Sequence, residues 1–92
     1  MSVSLRVVVS GRVQGVWYRA WTEKQAKALG LDGWVRNRRD GTVEAVFSGA
    51  GEVVETMIKS LWDGPPLANV TAVERFEHNE SVGPSFAVKS TE

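Results

Sequence analysis

The hydrophobic period of this chain changes from two to about four across a single glycine-bearing turn, and this change constrains the fold more than any other feature. Val3, Leu5, Val7 and Val9 alternate with Ser4, Arg6 and Ser10, the pattern of a strand with one buried face. Tyr18, Thr22, Ala26 and Leu29 then recur at spacings of four, four and three, the stripe of an amphipathic helix that Gly30 is suited to stop.

Trp34 to Asn37 reads as a second strand and Thr42 to Ser48 as a third, joined through Arg38-Arg39-Asp40-Gly41, whose Asp-Gly pair favours a hairpin. A second helix is expected over about 51–63, with Val54, Met57, Ile58 and Leu61 inward. Gly64-Pro65-Pro66 ends it, because proline lacks the backbone donor that a continuing helix requires. Val70 to Phe76 makes a fourth strand, and Phe86 with Val88 a short last one after a polar loop from Glu77 to Gly83. The order β-α-β-β-α-β fits an α+β, ferredoxin-like sandwich, in which two helices cover one face of an antiparallel sheet. That architecture hosts many functions, so chemistry has to be sought in particular residues.

The chain has 92 residues, 42% of them hydrophobic, which suits one domain spanning 1–92. Eleven Lys plus Arg balance eleven Asp plus Glu, so no broad field favours nucleic acid or an anionic membrane. The absence of cysteine excludes disulfides, thiolate nucleophiles and Cys-based metal sites. No secretory pattern or membrane-length apolar run is present. The expectation is a cytoplasmic monomer acting on a small molecule, without nucleic-acid or membrane partner and without cofactor.

Residues Val9 to Arg19 set a cation where a helix should begin. A helix N-terminus carries partial positive charge and unpaired N–H groups, and favours a Ser, Thr, Asp or Asn cap. Gly15, Val16, Trp17 and Tyr18 supply none of these, and Arg19 adds a full positive charge. Two completions fit: an oxyanion held by main-chain N–H groups and the guanidinium fork, or a plain turn with Arg19 paired to a carboxylate from elsewhere.

A second unusual segment is Gly33-Trp34-Val35-Arg36-Asn37. Asn suits a strand poorly because its short amide competes for local backbone bonds. Asn37 is either a turn residue opening the hairpin or a residue kept for chemistry.

Together the two segments resemble the acylphosphatase family. The first matches at Gly11, Val13, Gln14, Gly15, Val16 and Arg19; the second at Gly33, Trp34, Asn37, Gly41, Val43 and Gly49. Length and element order also agree. Tyr18 departs from the usual phenylalanine and needs a partner for its hydroxyl, Trp17 fills a variable position, and Phe86-Ala87-Val88-Lys89 lacks a tyrosine that often follows. The resemblance implies metal-free hydrolysis of a carboxyl-phosphate anhydride without a phosphoenzyme. It assigns phosphoryl binding to Arg19 and to the N–H groups of Gly15, Val16, Trp17, Tyr18 and Arg19, and orientation of the attacking water to Asn37. An activated anhydride already has a good leaving group, so positioning and charge compensation suffice.

The remaining candidates are weighed beside these. Trp21 is expected at the mouth of the site, Trp34 and Trp62 in packing, Thr42 as a support for Asn37 or an ordinary strand residue, and Asp40 in turn geometry. Arg12, Arg36, Arg38 and Arg39 are at most steering charges. His78, the only histidine, is expected in solvent. The alternative function is a non-catalytic anion- or RNA-binding ferredoxin-like module, although the Lys/Arg-Gly-Phe strand motif of RNA-binding modules is absent.

Overall fold

A computed structural model describes residues 2–92. The elements are β1 (Ser2–Arg12), α1 (Tyr18–Ala28), β2 (Asp32–Asn37), β3 (Val43–Ala50), α2 (Gly51–Leu61), β4 (Asn69–Glu77) and β5 (Phe86–Val88). The strands form one five-stranded sheet in the order β4-β1-β3-β2-β5. The α+β, ferredoxin-like arrangement expected from the periodicities is therefore present.

The first four strands pair antiparallel, whereas β5 adds to β2 in parallel, Gly33 facing Phe86 and Val35 facing Val88. The expected sheet was antiparallel throughout. Strand β4 lies at one edge and β5 at the other, and the segment between them crosses the sheet from the end at which β4 finishes. Entry from that end sets β5 running with β2. The crossing is anchored by His78 N–H to Ser4 O (3.3 Å), Gly33 N–H to Ser85 O (3.1 Å) and Ser85 N–H to Asp32 Oδ1 (2.8 Å).

Alternation along the strands sorts side chains onto two faces. Val7, Val9, Val35, Val43, Ala45 and Phe47 point to the helices and are buried with Tyr18 and Ala26 of α1 and Val54, Met57, Ile58 and Leu61 of α2. These inward residues of α2 are the ones its periodicity marks. The helix is shorter than expected, stopping at Leu61, and the following Trp62 is 51% exposed rather than packed.

Gly33 shows how close the backbones come. It has φ +135°, and a Cβ there would lie 1.8 Å from Val46 O across the β2–β3 pair. Any side chain would push the two central strands apart. On the face away from the helices, Trp34 is half-buried, with the Arg36 guanidinium and the Lys89 ammonium each 4.7 Å from its ring centroid.

Candidate active site

Arg19 and Asn37 are brought together by strand direction. Both β1 and β2 pair antiparallel with β3, which lies between them, so they run parallel and end at the same edge of the sheet. The turn after β1 and the last residue of β2 consequently share that edge.

The turn is shaped by two left-handed residues, Gly15 at φ +75° and Trp17 at φ +68°. At Gly15 a Cβ would meet nothing within 4 Å, so its backbone faces open space. Trp17 occupies the N-cap of α1 without a side-chain cap bond, and the first turn holds no acidic residue. The amide of Trp21 donates to Trp17 O at 3.0 Å, which leaves the N–H groups of Tyr18, Arg19 and Ala20 ahead of the first helical bond. Successive free N–H groups around left-handed residues form a concavity suited to anions.

Buried Val13 and Val16 fasten the turn to the core. Gln14 fastens it to the hairpin, its side-chain amide donating to Arg38 O (2.7 Å) and Thr42 O (2.8 Å). Tyr18 is buried, and its hydroxyl donates to Leu61 O at 2.6 Å, which supplies the partner its sequence position called for. Burial pushes the pKa of that phenol up.

A cavity of about 470 Å³ opens at this edge, lined among others by Gly15, Trp17, Tyr18, Arg19 and Asn37. Arg19 is half-buried, the second residue of α1, and enters no ion pair among the described residues. Glu23, one turn further along α1 and also lining the cavity, pairs with Lys27 at 3.1 Å. Asn37 Oδ1 is buried with no hydrogen-bond partner, which is uncommon in a folded protein and marks a group that can accept a donor from the cavity. Asn37 ends β2 as a ladder residue opposite Val43, and its carbonyl accepts the N–H of Glu92 at 3.1 Å. The hairpin turn itself lies beyond it.

Several sequence expectations are corrected by placement. Trp21 is not among the cavity-lining residues; it packs on the core, its ring centroid 5.5 Å from that of Tyr18. Thr42 does not support the Asn37 side chain, since its hydroxyl and its N–H both donate to Asp40 Oδ1, at 2.6 and 3.0 Å. Asp40 is thereby a turn residue, as its Asp-Gly position implies, and the hydrogen bond from the Thr42 hydroxyl holds its carboxyl below the usual range. Arg36 is no steering charge for this cavity: it points to the opposite face and pairs with Glu44 (2.8 Å) and Glu92 (2.9 Å). Arg38 lies 3.7 Å from Asp40. His78 borders a different cavity of about 410 Å³, beside Trp34 and Arg36.

The sequence does not single out Val13, Ala20, Glu23 or Val88 as lining residues, and two of these, Glu23 and Val88, bear on the chemistry of the wall. Glu23 carried a signal, its spacing of four from Arg19 on one helix face. Val88 carried none, because the partner of β5 cannot be read from a three-residue strand. Among the described residues no three His, Asp or Glu side chains gather in a way that could hold a metal ion.

Comparison with known proteins bears on the family of the whole chain. The acylphosphatase family model matches residues 5–88. A relative named acylphosphatase from Rhizorhabdus wittichii is 47% identical over 89 residues, covering 97% of this chain and 90% of its own. Another of that name, from Rhodospirillum rubrum, is 60% identical over 67 residues, covering 73% and 74%. The solved structure of an acylphosphatase from Coxiella burnetii superposes with a TM-score of 0.91 at 38% identity, covering 96% of this chain and 93% of that one. With the family's pattern spread over nearly every element described above, the chain belongs to the acylphosphatase family.

Proposed function

We propose that this protein hydrolyses acyl phosphates to a carboxylate and inorganic phosphate, with Arg19 and the main-chain N–H groups of residues 15–19 binding the phosphoryl oxygens and Asn37 orienting the attacking water. The observation that carries the reading is the juxtaposition of an unpaired guanidinium, a glycine-shaped N–H concavity and an unpartnered buried amide oxygen around one cavity. The three suit two parts of the reaction. The concavity and the fork match phosphate oxygens, including the charge that builds on them in the transition state. The amide oxygen accepts a hydrogen bond from water and thereby aims the lone pair of the water oxygen at phosphorus, so water oxygen bonds to phosphorus as the bond to the acyl oxygen breaks. The electron pair leaves on the carboxylate, and the water proton passes to a phosphoryl oxygen. The reading needs no metal, no cofactor and no phosphoenzyme.

The proposal extends to a single domain over 1–92 that works as a cytoplasmic monomer on small diffusible substrates, with neither nucleic acid nor membrane as partner. Zero net charge and the lack of cysteine support it. No helix among the described residues is long and apolar enough to cross a membrane. The test is turnover of benzoyl phosphate beside an alkyl phosphomonoester, with and without a chelator. Selective, chelator-insensitive release of phosphate from the anhydride is expected; equal cleavage of both compounds, or of neither, overturns the reading.

A further inference from the structure

The cavity is larger than a phosphoryl group requires, and part of its remaining wall is apolar. Trp17 and Val88 both line it, with 79% and 42% of their surfaces exposed. Exposed apolar side chains gathered at one concave site mark recognition more often than chance. The backbone of Trp17 adds a second, independent observation. Among the described residues only Trp17 and Ser85 are non-glycine residues at positive φ, a costly conformation for a bulky side chain. Core packing does not repay that strain, because the indole stands largely in solvent. The residue stands instead on the cavity wall, between Gly15 and Arg19 in the chain and lining the same cavity as both.

Building on the reading of this cavity as the site of acyl phosphate hydrolysis, we infer that the Trp17 indole, together with Val88, forms the acyl-group subsite and favours substrates whose acyl portion is an uncharged aryl or similarly large apolar group. The indole offers a flat face for stacking and loses little freedom when it is covered. Glu23 also lines the cavity but is paired with Lys27, so the apolar wall of Trp17 and Val88, rather than a free charge, sets the preference for an uncharged acyl group. Small acyl groups such as acetyl are too short to profit from the indole and are held by the phosphoryl end alone.

The experiment compares the full chain with Trp17→Gly, chosen because glycine adopts the left-handed backbone of residue 17 without steric cost. Turnover is measured with benzoyl phosphate and acetyl phosphate, affinity with the non-hydrolysable benzoylphosphonate and acetylphosphonate, and integrity of the concavity by competitive inhibition with inorganic phosphate. The substitution should raise KM for benzoyl phosphate and Kd for benzoylphosphonate about threefold to tenfold, the range of one aromatic contact. The shift is read relative to the acetyl compounds and to phosphate inhibition, because the N–H of residue 17 belongs to the phosphoryl cradle and any change common to all of them reports on that cradle rather than on the indole. Equal effects on both acyl groups, or none, with phosphate inhibition preserved, overturn the subsite. Should phosphate inhibition itself be lost, Trp17→Phe and Trp17→Asn decide: a benzoyl preference kept only by Phe supports the subsite, and identical behaviour overturns it. A wild-type chain that prefers benzoylphosphonate through Trp17 yet hydrolyses neither phosphate keeps the subsite and overturns the activity, whereas turnover without that preference overturns the subsite alone.

Discussion

The arginines on the open face of the sheet and the one at the start of α1 differ in what they face. On the face away from the helices, Arg6 and Arg36 converge on the buried carboxylate of Glu44 at 3.0 and 2.8 Å, and Arg36 reaches on to Glu92. Each also covers an aromatic ring, Arg6 that of Phe76 at 4.4 Å and Arg36 that of Trp34 at 4.7 Å. At the edge where β1 and β2 end, Arg19 lines a cavity without an ion-pair partner among the described residues, the one carboxylate on that wall, Glu23, being paired with Lys27. The first arrangement is electrically closed within the chain; the second is closed by what enters. A guanidinium already neutralised and stacked contributes to the fold, while one left beside a positive helix end is a cost to the fold that an anion relieves.

Substitution should separate the two arrangements along different axes. Arg19→Ala should lower kcat/KM on benzoyl phosphate on the order of a thousandfold, and Arg19→Lys should recover little of it, since an ammonium cannot reproduce the fork. Thermal unfolding of the alanine variant should be unchanged or slightly raised, because a cation leaves the helix N-terminus. A marked drop in stability would erase the contrast with the open face.

Asn37→Ala should reduce kcat about a hundredfold while inorganic phosphate still inhibits as in the parent, the signature of lost positioning without lost binding. Weakened phosphate inhibition with normal kcat would place this residue in binding instead. The mirror experiment is Glu44→Ala, which strands Arg6 and Arg36 without their shared carboxylate. Their partial exposure discounts the cost of breaking a buried pair to about 1–3 kcal/mol, read in urea unfolding, with kcat/KM near the parent value. Loss of activity there would mean that the two arrangements are coupled.

The smallest effect concerns Tyr18→Phe, which removes the bond to Leu61 O and should cost about 1 kcal/mol at neutral pH. It also carries a pH signature. Burial raises the folded pKa of Tyr18 above its unfolded value, so the folded chain holds the phenolic proton where the unfolded chain has lost it. The contribution is complete below about pH 10, the ordinary tyrosine value, and declines as pH rises above it. The parent should therefore lose stability in alkali more steeply than the phenylalanine variant, as followed by unfolding at pH 9 and 11.

Some of this was legible in the chain alone. The alternation of Val3 to Val9, the helical stripe from Tyr18, the Asp-Gly hairpin and the Gly64-Pro65-Pro66 stop mark β1, α1, the β2–β3 hairpin and the end of α2, because each reports a local geometry through a local preference. The missing cap and the misplaced cation before α1 likewise singled out Arg19, and the ill-suited strand residue singled out Asn37. Trp21 was misread for the same locality: its place near the helix start suggests the mouth of a site, yet its side chain turns inward onto Tyr18.

By itself, then, the sequence determined which residues break local rules and which segments are strand or helix, since those depend on neighbours a few positions away. Tertiary structure alone decided that residues 19 and 37 line one cavity, that Arg36 is spent on Glu44, that β5 runs parallel to β2, and that Trp17 and Val88 complete the wall. These depend on strand order and on which face of the sheet each side chain occupies, and such long-range pairings leave no periodic mark along the chain.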